Sequence, residues 1–280
     1  MSLDSVNSLF NNSFKIYQER FAPLTEIVLL PVLFLFLGYV LVWLGSIFAL
    51  FGLLAMAIGW VMLIFCSLAI IYSVDKNTSV DPSYRAIKKY FWPLIWISVL
   101  ATCSVIGGMM MLFIPGIWLL VAFTLRSYVL VLEDRKGMDA LRQSKDYIEG
   151  YWWPVLGRTF LFLTMTIIIS VLLQLPFGLL FGSIGKEMAS TILILFTVPF
   201  ASIFYYKIYE NLKNLKPEVY GTQPSGNTFV KVSAIIGIVG ALLIVGLFVS
   251  LLQLAIRDYK NGNLNVDNWN STSSNQLNNY

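Results

Sequence analysis

Side chains able to do chemistry are scarce in this sequence. There is no histidine among its 280 residues, which removes the commonest general base and the commonest metal ligand together. Cys66 and Cys103, its two cysteines, both lie inside apolar runs. A thiol there behaves as a small hydrophobe, and two isolated cysteines make neither a zinc motif nor a disulfide framework. Most carboxylates stand beside basic residues in polar stretches, as in Glu133-Asp134-Arg135-Lys136, and read as solvated loop charge. No glycine-rich phosphate loop follows a strand pattern. No catalytic, metal-binding or cofactor-binding residue is assigned, and the expectation is a protein that is not an enzyme and carries no cofactor.

Two groups of residues remain. Arg126 and Arg158 are the cations that fall within or beside apolar segments rather than in loops. Either they bind an anionic lipid headgroup or substrate, or they snorkel and pair with neighbours such as Glu133 and Asp134. Thr166, Ser170 and Gln174, with Thr159 before them, recur at helical spacing on one face, and Pro176 and Pro199 interrupt this segment and the next. A broken helix with a polar face suits a transporter site. The same residues also suit hydrogen-bonded packing between helices. Pro31 and Pro115 fall near expected span ends and are given no role.

The elements that would position these residues are membrane spans. The chain is 58% hydrophobic and 12% charged, against roughly 25% charged in soluble domains. Residues 27–74 and 94–125 contain no charge, and about 20 apolar residues cross a bilayer. Breaks at Gly45-Ser46, Pro115-Gly116 and Gly182-Ser183 divide the apolar runs into hairpins. Spans are expected at about 24–44, 48–74, 94–113, 117–132, 155–181 and 188–206, with a seventh at 229–256. Of the 19 basic residues, 14 fall in loops on the side of the N-terminus; Lys186, Arg257 and Lys260 fall on the other. This bias predicts a cytoplasmic N-terminus and an external C-terminus. The net charge of +4 therefore reads as topology and attraction to an anionic leaflet, not as nucleic-acid binding.

Pro23, Pro93 and Pro154 each begin a span, with an aromatic two residues before (Phe21, Phe91, Trp152) and a serine ten before (Ser13, Ser83, Ser144). The segment ahead of each is amphipathic at helical spacing, as in Leu3, Val6, Phe10, Phe14, Tyr17 and Phe21. Such helices would lie in the membrane surface. The fold expected is all-α: a polytopic transmembrane bundle of three repeats, each an interfacial helix plus a transmembrane hairpin, with the seventh span added. The six-span domain covers 1–215, in units of about 1–74, 75–133 and 134–215. A linker at 216–228 leads to the last span, whose Ser233, Gly237 and Ala241 form a small-residue stripe for close packing. The asparagine-rich tail at 257–280 is expected to be disordered.

Ile114-Pro115-Gly116-Ile117, then Ala140-Leu141, Ser144, Gly150 and Trp153, then Pro199, Tyr205-Tyr206, Tyr209 and Leu212 resemble the glycerophosphoryl diester phosphodiesterase membrane domains and the similar YciC-like bacterial proteins. The resemblance covers about half the chain and implies a prokaryotic plasma-membrane protein. It does not imply phosphodiesterase activity, which in that family belongs to a separate soluble domain. The function expected is that of a lipid-interacting or accessory membrane protein, with membrane lipids and a membrane protein as partners. The alternative is a small-solute transporter or export component using spans five and six.

Overall fold

The computed structural model describes residues 3–111, 113–224, 226 and 228–260. The described residues form ten α-helices and no strand: α1 Val6–Glu19, α2 Phe21–Trp43, α3 Ser46–Lys76, α4 Val80–Ile87, α5 Phe91–Met111, α6 Phe113–Ala122, α7 Arg126–Leu132, α8 Gly137–Ile148, α9 Trp152–Leu215 and α10 Thr228–Lys260. Six helical stretches are long and apolar enough to cross a membrane. The surface agrees: Leu242, Leu243, Phe248, Leu251 and Leu252 of α10 are all exposed, a band of apolar side chains suited to a lipid environment. The protein is a helical membrane protein. The expected tail at 261–280 lies outside the described residues, whereas 257–260 continue α10.

At 64 residues α9 would be about 96 Å long if straight, some three bilayer thicknesses. Instead it folds back at Gly182, whose φ of 64° and ψ of −143° suit a residue without a Cβ. The rings of Phe162 and Phe204 consequently stack with centroids 5.1 Å apart. α2 and α3 form a second hairpin, turned at Gly45. α10 packs along α5. Its stripe is the contact, because a methyl group on Gly237 would collide with the Cys103 carbonyl and one on Gly107 with that of Ser233. Backbones approach this closely only where side chains are absent or small.

The amphipathic segments are helices α1, α4 and α8, and Pro23, Pro93 and Pro154 are each the third residue of the long helix that follows, α2, α5 and α9. A first-turn proline fits because amides there have no intrahelical acceptor. Ser13, Ser83 and Ser144 are all fully buried.

Two expectations need correction. Pro31, given no role, lies inside α2 and supplies no amide to the carbonyl of Ile27. That oxygen accepts instead from the Tyr84 hydroxyl at 2.9 Å and the Cys66 thiol at 3.3 Å, so the missing bond ties α4 and α3 to the first turns of α2. Secondly, the span expected at 117–132 is not one continuous helix. It breaks between α6 and α7 at residues 123–125, where Ser144 Oγ donates to the Ala122 carbonyl at 2.7 Å and accepts from the Leu125 amide at 3.2 Å. A side chain inserted into the backbone ladder is a recognised cause of such breaks.

Candidate functional site

α1 lies in the trough between the two halves of the α9 hairpin. Phe10 meets Phe204 at 5.0 Å and Phe200 at 6.0 Å, and Tyr17 meets Phe200 edge-on at 5.9 Å. The rings do not fill the trough. A cavity of about 390 Å³ remains, lined by Phe14, Tyr17, Phe162, Thr166, Phe196 and Phe200 among others. The Tyr17 hydroxyl there is buried without a hydrogen-bond partner, and burial pushes its pKa upward.

Arg158 stands one helical turn before Phe162. Its Nη1 donates to the Pro154 carbonyl at 2.9 Å, and its Nη2 to the carbonyls of Leu3, at 3.3 Å, and Asp4. Asn211 Nδ2 donates to the Asp4 carboxylate at 2.6 Å. Together these fix the segment that enters α1, while Arg158 Nε is buried without a partner. Arg126 begins α7 and donates from Nη1 to the Phe123 carbonyl at 3.1 Å, closing the α6–α7 break; its Nε is also unpartnered. Among the described residues neither arginine makes an ion pair, and no hydrogen bond joins them. Asp134 faces Lys89 at 3.9 Å, and Glu149 faces Lys145 at 3.0 Å.

The polar face of α9 is half-buried. Thr166 Oγ1 donates to the Phe162 carbonyl at 3.0 Å, and Gln174 Nε2 donates to Ser170 Oγ at 2.5 Å. Of the three, Thr166 lines the α1 cavity; Ser170 and Gln174 bond to each other along the same helix.

A carboxylate cage that the sequence reading missed joins α7, α8 and the C-terminal part of α9. Glu133, read as solvated loop charge, is half-buried directly after α7. Its Oε1 accepts from the hydroxyls of Tyr147 and Tyr209, each at 2.8 Å, and its Oε2 from Gln143 Nε2 at 3.4 Å. Gln143 and Tyr147 of α8 are fully buried, and Tyr209 of α9 is 2% exposed. Burial, then the Glu133 carboxylate, raise the Tyr147 pKa well above the usual tyrosine value, so the hydroxyl remains a donor. Next to the cage, Lys216 Nζ donates to the carbonyls of Asp146, at 2.7 Å, and Glu149. Burial pushes its pKa down, against the pull of Glu149, Glu218 and Asp146. The cage clamps α7, α8 and the end of α9 around one carboxylate. Glu133 lines none of the cavities beside α1, the α2–α3 turn, Trp118 or Cys66, and its hydrogen bonds are made within the protein. The available signal was that Glu133 follows an apolar helix with no polar spacer.

Among the described residues no cluster of histidine, cysteine, aspartate or glutamate gathers to hold a metal ion. Comparison of the chain with family models, curated proteins and solved structures matched none of them.

Proposed function

We propose that this is a non-enzymatic, lipid-binding membrane protein that takes an acyl chain into the cavity beside α1 and holds an anionic headgroup at Arg158. The cavity is the observation that carries the reading: about 390 Å³ of aromatic-lined space opening beside the helix pair, with an incompletely bonded guanidinium one turn away. Each buried methylene contributes about 0.8 kcal/mol, and a guanidinium suits phosphate geometry. Arg126 lies at another break and takes no part in this groove. The test is mass spectrometry of lipids retained through purification. Phe200→Trp, which fills the groove, and Arg158→Gln should each deplete anionic lipid severalfold while the protein stays folded; unchanged lipid content in both would sink the reading.

Within this proposal the N-terminus is cytoplasmic, supported by the 14-to-3 bias of loop cations, and the membrane is a prokaryotic plasma membrane. The chain is built from three units, supported by the shared helix, buried serine and third-position proline, and α10 is a seventh crossing. Placement beside the phosphodiesterase membrane domains rests on the short motifs alone. The half-buried Thr166, Ser170 and Gln174 favour a second reading, small-solute transport through the α9 hairpin; solute flux into protein-containing vesicles, above that of empty ones, would favour it over the first.

A further inference from the structure

A second cavity lies at the other end of the α9 hairpin, between its turn and the turn joining α2 to α3. It encloses about 380 Å³ and is lined by Phe36, Tyr39, Trp43, Leu53, Met56 and Glu187 among others. The wall is apolar apart from Ser183 in the turn, the Tyr39 hydroxyl and the Glu187 carboxylate, the last two facing each other. The neighbouring cation, Lys186, lies with its stem against Gly178 on the first half of α9 and does not line the cavity. Glu187 is therefore the charged group of the lining, and three aromatic rings share the space with it. A carboxylate beside ring faces attracts an ammonium group by charge and by cation–π interaction together. An anionic headgroup would meet like charge in the same place. Hydrocarbon fits the rest of the wall, and Lys186, the residue before Glu187 and exposed, carries the opposite sign.

We propose that this cavity binds a zwitterionic membrane lipid of the leaflet at this end, its headgroup ammonium against Glu187, its phosphate towards Lys186 and an acyl chain among Phe36, Leu53 and Met56. The site is independent of the α1 groove: its ligand carries a cation where that of the groove is anionic. The full-length protein in neutral detergent is titrated with two lysolipids of equal chain, lysophosphatidylethanolamine and lysophosphatidylglycerol, and bound adducts are counted by native mass spectrometry. On the Phe200→Trp background, in which the α1 groove is filled, the ethanolamine lipid should bind about tenfold more tightly than the glycerol lipid. Glu187→Gln should bring that ratio close to one, and Leu53→Trp, which fills the cavity, should weaken the ethanolamine lipid selectively. Arg158→Gln should leave the ethanolamine affinity unchanged, which separates this site from the groove. Equal binding of the two lipids on the Phe200→Trp background, a preference surviving Glu187→Gln there, or no ethanolamine adduct would each overturn the proposal. Glu187 is exposed, so Glu187→Gln should fold, and an unchanged unfolding midpoint checks this.

Discussion

α1 and α8 are both amphipathic helices that bury a serine completely and stand just ahead of a long proline-bearing helix, yet they are held in different ways. α1 is seated by rings. Phe10 and Tyr17 pack on Phe200 and Phe204, Ser13 Oγ is buried without a partner, and a cavity is left alongside. α8 is seated by directional bonds: Ser144 to the α6–α7 break, Gln143 and Tyr147 to Glu133. Apolar contact has no preferred direction and tolerates a hollow, whereas hydrogen bonds favour one arrangement of the groups they join. α8 is thus placed by directional bonds, with Gln143 Oε1 and Arg142 Nε and Nη2 left unpartnered, and α1 is placed mainly by ring contact.

The contrast can be broken most severely at Glu133. Glu133→Ala strips two tyrosine hydroxyls of their acceptor and leaves the Gln143 amide only the Val219 carbonyl, and unfolding in mixed micelles should show a loss of about 3 kcal/mol; a loss below about 1 kcal/mol would mean that the cage does not hold α8. Next come the paired serines. Ser144→Ala orphans a buried carbonyl and a buried amide, for about 2 kcal/mol, whereas Ser13→Ala removes a hydroxyl that has no partner and should change stability by less than about 0.5 kcal/mol. Equal costs in the same assay would erase the distinction between the two helices. The smallest effect concerns pH. The Tyr147 pKa is raised in the folded protein, so its contribution is fully present below the unfolded tyrosine value of about 10 and is lost as pH rises from there through the folded value. The melting temperature should therefore fall above about pH 10, and Tyr147→Phe should make that fall shallower.

Much of the helix layout was legible because its causes are local. Uncharged runs mark the spans, 3.6-residue spacing marks α1 and α8, and three prolines mark where α2, α5 and α9 begin. The Ser233–Gly237 stripe likewise announced its packing. What escaped depends on partners distant in sequence. The break at residues 123–125 is made by Ser144, and the carbonyl freed by Pro31 matters because Tyr84 reaches it. Glu133 looked solvated because its own neighbours are charged, while Tyr209, which buries it, is 76 positions away. Of the candidate residues, Thr166 lines the α1 groove and Arg158 holds the segment that enters α1, whereas Arg126, Ser170 and Gln174 lie elsewhere. Separation by face is visible in a sequence; separation by tertiary path is not.

Arg158 bonds to the carbonyl of Asp4, a residue 154 positions earlier in the chain. At about 5–20 residues per second, synthesis takes roughly 8 to 30 s to cover that distance. α1 is therefore made well before the surface that seats it, and its aromatic stripe stays uncovered by α9 while the helices between them are still being synthesised. The contacts of Phe10 and Tyr17 with Phe204 and Phe200 are among the last that the growing chain can make.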